Sequence, residues 1–176
     1  SGQVHWSAEQ SEKLKPVIEA QVRDGFITKM KSDFSSRPVL VRKPDGSYRL
    51  TVSYKDLNDM TVGDQFPMPN IQDNLDAVGK AKWFTAVDLL SGFHQVEVAP
   101  ESVHKTAFTT PWGQYASLRM PMGLKSSPST FCRMVDAMLS GLPPGIALAY
   151  VDDLLICTDG TFEEHLDDVF AENHRL

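Results

Sequence analysis

Two adjacent aspartates, Asp152 and Asp153, interrupt a pair of apolar runs in the sequence. The runs 147–151 and 154–156 read as two short strands, so the aspartates are predicted at the tip of a tight hairpin. Ionised carboxylates beside buried strands are costly unless they are paired, hydrogen-bonded or bound to metal. An exposed turn would also accommodate them, because Asp is common in turns. On their own the two residues leave both interpretations open.

A third aspartate, Asp88, favours the metal interpretation. It follows the apolar strand-like run 83–87 and is itself followed by Leu89 and Leu90 rather than by a polar loop. If this strand lies beside the hairpin, three carboxylates meet at one place. Clustered oxygen ligands suit Mg²⁺ better than zinc or copper, and two such ions about 4 Å apart would support an in-line phosphoryl transfer. The adjacency of the strands is an assumption at this stage.

The elements around these residues predict a mixed α+β fold. A helix is expected over 8–25, and Pro44-Asp45-Gly46-Ser47 between two β-rich runs predicts a hairpin. The stretch 57–69 is expected to be irregular, and a strand is expected over 95–98. Further helices are expected over 71–78, 128–139 and 161–174, the last opened by a capping box of Thr161 and Glu164. The order indicates an antiparallel sheet covered by helices on one face.

Charge and composition restrict the class of protein. The net charge is −6 over 176 residues, which is unusual for a simple nucleic-acid binder. Residues 1–55, however, carry 10 Lys and Arg against 6 Asp and Glu, whereas the rest carries 7 against 17. No apolar run approaches the roughly 20 residues of a membrane-spanning helix, and two cysteines do not suggest a disulfide framework. An intracellular location, cytoplasmic or nuclear, is expected, with no secretion and no membrane partner.

Several motifs resemble reverse transcriptases of the gypsy class of LTR retrotransposons. Tyr150-Val151-Asp152-Asp153 is similar to their Tyr-x-Asp-Asp signature, and the segment 87–95 resembles their first catalytic motif. The segments 120–124 and 128–131 resemble the region under template and nucleotide, and 41–49 resembles the fingers. The ordered set extends from about residue 10 to the C-terminus. It implies the fingers and palm of a right-hand polymerase within a retrotransposon polyprotein.

The resemblance assigns roles to individual residues. Asp88, Asp152 and Asp153 would be the catalytic carboxylates, holding two Mg²⁺ ions (or Mn²⁺ as a substitute) with the carbonyl of Leu89. The other implied contacts are with the nucleotide, through Lys43, Arg49, Ser91, Gly92, Phe93 and Met122, and with the primer, through Tyr150 and Val151. Phe93 would exclude a 2′-hydroxyl and so select dNTP. Each of these residues also has a purely structural interpretation. Lys43 and Arg49 could be solvated cations on an exposed hairpin, Phe93 a core aromatic and Met122 a packing residue.

The resemblance also predicts how the chain is divided. Residues 1–80 would belong to the fingers, 81–105 to the palm with the first aspartate, 106–125 to a return between the two, and 126–176 to the palm with the Asp-Asp hairpin. The primer grip, thumb and RNase H domain would lie outside this sequence. Because those parts hold the duplex through phosphate contacts, the 176 residues alone are expected to bind template–primer weakly and to polymerise poorly or not at all.

Two functions therefore follow from the sequence. The first is RNA-directed DNA polymerase chemistry, with an RNA or DNA template–primer and dNTP as partners. The alternative is a domesticated retroelement domain that acts as a protein-interaction module, with a protein partner or a dimer and no polymerase activity. The acidic net charge and Ser53, which replaces a usual Asp, favour the alternative, whereas the aspartates and the Lys43/Arg49 pair favour the enzyme.

Overall fold

The computed structural model describes residues 5–64, 66, 78–88, 92–139, 146–150 and 153–173. Contacts divide the chain into two units, each assembled from two separate stretches of sequence. The first unit is Ser1–Gly63 with Phe93–Ser127, and the second is Asp64–Gly92 with Pro128–Leu176. None of the helices within the described ranges is long and apolar enough to cross a membrane.

Helix α1, Ala8–Arg23, covers the core of the first unit. It begins at Ser7, whose side chain and that of Gln10 cap each other's backbone. The strands β1 (Ile27–Lys29), β6 (Gly113–Ser117) and β5 (Phe108–Thr110) form an antiparallel sheet in that order. Buried side chains of these elements, together with Leu50 from the hairpin described next, form one apolar cluster that includes Leu14, Ile18, Ile27, Phe108 and Tyr115.

The predicted hairpin is present as β2 (Arg37–Arg42) paired with β3 (Tyr48–Ser53). Its turn is fixed by Asp45, which accepts hydrogen bonds from the Ser47 backbone and hydroxyl at 2.9 and 2.6 Å. These bonds lower the pKa of the Asp45 carboxyl. Gly46 has a φ of +85°, a conformation that favours glycine. The Pro-Asp-Gly signal therefore predicted this hairpin correctly.

Two local predictions were wrong. Residues Lys55–Met60 form a short helix, α2, although 57–69 was expected to be irregular. The Pro-rich stretch that follows favoured an irregular segment, although the Lys, Leu and Met residues of 55–60 are good helix formers. Residues Gly92–Gln95 form a short helix, α3, where the alternating pattern predicted a strand from Gln95. Only the bridge between Glu97 and Arg119 remains of that strand. A 3₁₀ helix, Pro100–Thr106, was not predicted.

The second unit contains an antiparallel sheet in the order β4-β8-β7. The strands are β4 (Trp83–Asp88), β7 (Ala147–Tyr150) and β8 (Asp153–Thr158). Helix α4 is Ser127–Leu139 and helix α5 is Phe162–Asn173, and α5 packs against β4 and β8. The capping box of Thr161 and Glu164 is present. The α+β class is confirmed, while the helix predicted over 71–78 lies outside the described residues except at Val78.

Candidate active site

Asp88 and Asp153 are direct partners in the pairing of β4 with β8. Directly opposed residues of antiparallel strands have Cα atoms about 5 Å apart. On the other side of β8, Tyr150 of β7 pairs with the same Asp153. The three positions form one row across the sheet, where β4 and β7 end and β8 begins. The strand adjacency that the sequence analysis assumed is therefore present.

Part of the predicted site lies outside the described residues, namely Leu89, Ser91, Val151 and Asp152. At Asp88, Tyr150 and Asp153 the structure describes the backbone. Among the side chains that are described, no group of three His, Cys, Asp or Glu is arranged to hold a metal ion. The metal-binding roles of the aspartates and the Leu89 carbonyl, and the primer contacts of Tyr150 and Val151, stay predictions.

Burial of β8 explains why its first residue is held at this end of the sheet. Leu154, Ile156 and Cys157 are all nearly inaccessible to solvent. Burial also raises the pKa of the Cys157 thiol, which favours the neutral form of this side chain. Because a slip by one residue would move Leu154 and Ile156, which share one face of β8, to the other face, their burial favours the register in which Asp153 faces Asp88.

Arg49 and Met122, two of the predicted nucleotide contacts, line one cavity of about 180 Å³ in the first unit. Its walls include Leu50, Val52 and Phe108. The Met122 side chain is 55% exposed, so it is not part of the core. The cavity combines an apolar wall with a guanidinium, a composition suited to a ligand that carries both a flat apolar part and an anionic part.

Lys43 lies next to this cavity, in an open depression of about 490 Å³ that is also lined by Tyr48 and Lys13. Gln21, Phe26 and His94 line both the depression and the cavity, so the two are contiguous. Within the described part of the chain, neither Lys43 nor Arg49 forms an ion pair. Both cations are exposed on the hairpin and available to an anionic ligand.

Phe93 is 8% exposed and belongs to α3, directly after the buried Gly92. The next residue, His94, is half-buried, and burial lowers the pKa of its imidazole. The ring of His94 lies 5.0 Å from that of Phe26, measured between centroids. Burial of Phe93 fits a core aromatic as well as a gate, so its selection against the 2′-hydroxyl stays a prediction.

Sequence reasoning did not identify Arg119, which lines the cavity beside Arg49. Its guanidinium is held by the Glu97 carboxylate at 3.3 Å and by the Gln95 carbonyl at 3.3 Å. The backbone amide of Met120 also donates to the Val96 carbonyl at 2.8 Å. These bonds tie the segment after Phe93 to the segment before Met122. The only signal was the position of Arg119 directly before a recognised motif.

The loop that carries Met122 is held by α2. The Asn58 side chain donates to the Gly123 carbonyl at 2.7 Å and accepts from the Lys125 amide at 2.8 Å. Lys125 in turn donates through its ammonium to the Thr61 carbonyl at 3.0 Å. A short helix that the sequence analysis did not predict therefore fixes one wall of the cavity.

Comparison with known proteins identifies the group to which this arrangement belongs. Residues 41–174 match the family model described as reverse transcriptase (RNA-dependent DNA polymerase). The chain is 38% identical over 157 residues to the Pol polyprotein of transposon 297 from Drosophila melanogaster, covering 86% of this chain and 15% of that protein. The corresponding polyprotein of transposon gypsy from the same organism is 34% identical over 160 residues, covering 86% of this chain and 16% of the relative.

A solved structure shows the same fold at lower sequence identity. The foamy viral protease–reverse transcriptase in complex with an RNA/DNA hybrid superimposes with a TM-score of 0.84 and 26% identity. The match covers 99% of this chain and 24% of that one. The chain thus spans about a sixth of the retrotransposon polyproteins and a quarter of the viral enzyme chain.

Proposed function

Because this chain belongs to the reverse transcriptase family, we propose that it carries the fingers and palm portion of an RNA-directed DNA polymerase. The reaction is transfer of a deoxynucleotide from its triphosphate to the 3′-hydroxyl of a primer. Enzymes of this family are RNA-directed DNA polymerases that depend on divalent metal ions. Since the chain spans only part of its relatives, the activity of the whole protein belongs to the proposal.

The observation that carries the proposal is the pairing of Asp88 with Asp153 in a row across the β4-β8-β7 sheet. Like charges placed directly opposite each other on paired strands destabilise a sheet. Divalent cations bound between the two carboxylates would offset this repulsion, with the carboxylates as their ligands. The family relationship and the strand register therefore support the same chemistry by independent routes.

The residues present fit magnesium. Asp88, Asp152, Asp153 and the Leu89 carbonyl offer only oxygen ligands, which hard cations prefer. When bound, two such ions would stabilise the attacking and leaving oxygens of the phosphoryl transfer. The aspartates would hold the ions through ionised carboxylates.

The nucleotide would be bound by residues of the fingers hairpin and of the segments around Phe93 and Met122. Arg49 would make bidentate hydrogen bonds to phosphate oxygens, and Lys43 would act as a point charge beside it. Gly92 and Ser91 would offer backbone N–H groups to the triphosphate. Met122 would border the base and sugar, while Phe93 would exclude a 2′-hydroxyl. The shared cavity of Arg49 and Met122 supports the assignments of these two residues.

The partners follow from the same chemistry. The related viral enzyme has been solved with an RNA/DNA hybrid and with double-stranded DNA, so we propose an RNA or DNA template–primer as partner here. Tyr150 and Val151 would face the primer end. The free thiols of Cys132 and Cys157 fit the proposed intracellular location, where thiols stay reduced.

Binding of a fluorescently labelled dNTP tests the proposal. In the presence of Mg²⁺ the anisotropy of the label should rise with chain concentration, and removal of the ion with EDTA should reverse the rise. Asp153→Asn should weaken binding at least tenfold, whereas Asp136→Asn, an exposed carboxylate on α4, should not change it. Binding that is equally strong without a divalent ion, or unaffected by Asp153→Asn, would contradict the proposed function.

No comparison favours the interaction-module alternative, since the relatives are Pol polyproteins and viral enzymes. A pull-down separates the two functions. A protein partner that the parent chain and its Asp88→Asn variant retain equally well, together with no metal-dependent nucleotide binding, would favour the alternative. Loss of nucleotide binding in Asp88→Asn would favour the polymerase.

A further inference from the structure

His165 is a buried histidine that the proposed reaction does not use. It lies one turn into α5 and is only 2% exposed. Its Nε2 lies 2.8 Å from the Thr85 hydroxyl on β4, and its Nδ1 lies 2.8 Å from the Thr158 hydroxyl on β8. One side chain of the helix therefore forms hydrogen bonds with both strands that carry the predicted metal carboxylates.

The start of α5 fixes where this imidazole stands. Thr161 and Glu164 cap each other, with the Glu164 carboxylate accepting from the Thr161 amide at 2.8 Å. This bond and the Thr161 hydroxyl lower the pKa of Glu164, so the carboxylate stays ionised in its capping role. The His165 amide then donates to the Thr161 carbonyl at 3.1 Å. The capping residue Thr161 comes only three residues after Thr158. The helix and the imidazole are therefore positioned relative to the end of β8.

The two hydrogen bonds from the threonine hydroxyls to the imidazole depend on the relative position of the strands. In the β4–β8 pairing, Thr158 stands opposite Trp83 and Thr85 stands opposite Ile156, so both threonines are at positions of the same face. A slip of one residue along either strand would displace its hydroxyl by about 3.3 Å and reverse its face. Either change would break one of the two bonds to the imidazole. The same ladder ends at the pair of Asp88 and Asp153.

Packing alone does not account for a histidine here. An aliphatic side chain would fill a buried site without the cost of burying a polar ring. A neutral imidazole has one donor and one acceptor nitrogen, and a hydroxyl can take either role. The arrangement therefore satisfies both ring nitrogens while depending on two hydroxyls in one geometry. Buried polar groups of this kind are best attested as devices that fix register.

We infer that His165 is a positioning residue for the proposed nucleotidyl-transfer site: by bonding Thr85 and Thr158 together it holds β4 and β8 in the register that places Asp88 opposite Asp153. This inference rests on the proposed function for its consequence, which is metal affinity. Its structural part concerns the strands alone and can be tested without activity. Groups hydrogen-bonded directly to metal ligands typically contribute about 10- to 100-fold in affinity, so a residue that acts through the two strands is expected to contribute no more than the lower end of that range.

Two variants and one control test the inference. His165→Leu retains the volume but removes both bonds, and Thr85→Val removes one hydroxyl at nearly constant shape. Val135→Ala, at a residue of α4 that is 2% exposed, destabilises the same unit without touching these bonds. Melting temperatures of the three variants are measured first, so that each is studied at the same interval below its own transition.

Hydrogen exchange of the segments 83–88 and 153–158 is the first readout. The exchange rate should rise about tenfold in His165→Leu and Thr85→Val, which corresponds to the loss of roughly 1.4 kcal/mol of hydrogen bonding. In Val135→Ala the rate should stay near the parent value. Because both changes break the same bond, the double variant should lose little more than His165→Leu. Equal acceleration in Val135→Ala and His165→Leu would overturn the inference, since a general loss of stability would then explain it.

Mn²⁺ binding, followed by the electron paramagnetic resonance of the free ion, is the second readout. His165→Leu should weaken binding about tenfold, and Val135→Ala should leave it within about twofold. Unchanged Mn²⁺ affinity in His165→Leu would overturn the positioning role. If the parent chain binds no Mn²⁺, the proposed function fails, and the exchange comparison still decides whether His165 fixes the strand register.

Discussion

We propose that selection of the sugar depends on one side chain, Phe93. Phe93 is almost fully buried, so packing would restrict how far its ring could move away from a bound sugar. A ring in that place would leave no room for a 2′-hydroxyl, whereas a smaller residue would. The gate is therefore a matter of volume, and changing volume alone should test it.

Phe93→Val should reduce discrimination between dNTP and rNTP. We expect rNTP affinity to rise at least tenfold relative to dNTP, measured by competition against a labelled dNTP. Phe131→Leu, at another buried aromatic, on α4, serves as the control for lost packing. A ratio that changes as much in Phe131→Leu as in Phe93→Val would assign the effect to general loosening of the fold.

Arg49 provides the second prediction at this scale. Arg49→Lys keeps the positive charge but removes the bidentate fork, so triphosphate affinity should fall about tenfold, in line with the loss of one charge-assisted hydrogen bond. Arg37→Lys is the matched control, because Arg37 is exposed at the other end of the same strand pair. The assay compares dNTP with the deoxynucleoside, which has no phosphates. An equal loss for both ligands would exclude a phosphate contact by Arg49.

At the scale of elements, the junction between β3 and α2 depends on a buried phenol. The Tyr54 hydroxyl donates to the Thr106 carbonyl at 3.3 Å and lies 3.5 Å from the Ser117 hydroxyl. Burial raises the pKa of Tyr54 to about 12. The residue joins the 3₁₀ helix and β6 to the start of α2, whose Asn58 holds the Met122 loop.

This pKa predicts a loss of stability at alkaline pH. The folded-state pKa lies above the ordinary value of 10, so the stabilisation is complete below about pH 10 and is lost as pH rises towards 12. Two pKa units correspond to about 2.7 kcal/mol. Urea unfolding at pH 8 and pH 11 should show a smaller pH-dependent loss in Tyr54→Phe than in the parent. Equal losses would contradict a buried, neutral phenol in the folded state.

The elements also show what local sequence signals can predict. The hairpin and the start of α5 were predicted because Pro-Asp-Gly and the Thr161–Glu164 spacing act locally through turn and cap geometry. Gln95 is the last residue of a short helix, and Glu97 forms a single bridge to Arg119. The strand expected from Gln95 was therefore wrong. Arg119 lines the cavity and Asn58 holds the Met122 loop through partners distant in sequence, so no local pattern indicated either role.

At the scale of the whole chain, each unit is assembled from two separate stretches of sequence. Long-range pairing of β4 with β8 joins residues that are more than 60 positions apart and creates the row with Asp88 and Asp153. The sequence could suggest this meeting only through an assumed strand adjacency and a family resemblance. The four segments predicted from that resemblance, and the weak binding of template–primer by the chain alone, stay predictions.

The most direct test of the account is a thermal-shift titration with Mn²⁺ or Mg²⁺ and a dNTP. A ligand at 100 times its dissociation constant stabilises the folded state by about 2.7 kcal/mol, which for a chain of this size raises the melting temperature by roughly 5–10 °C. The parent should show this rise, and Asp136→Asn should retain it. Asp152→Asn should abolish it. A parent chain whose melting temperature does not respond to the ions, or an Asp152→Asn variant that responds equally, would contradict the claim that these aspartates form a metal-dependent nucleotide site.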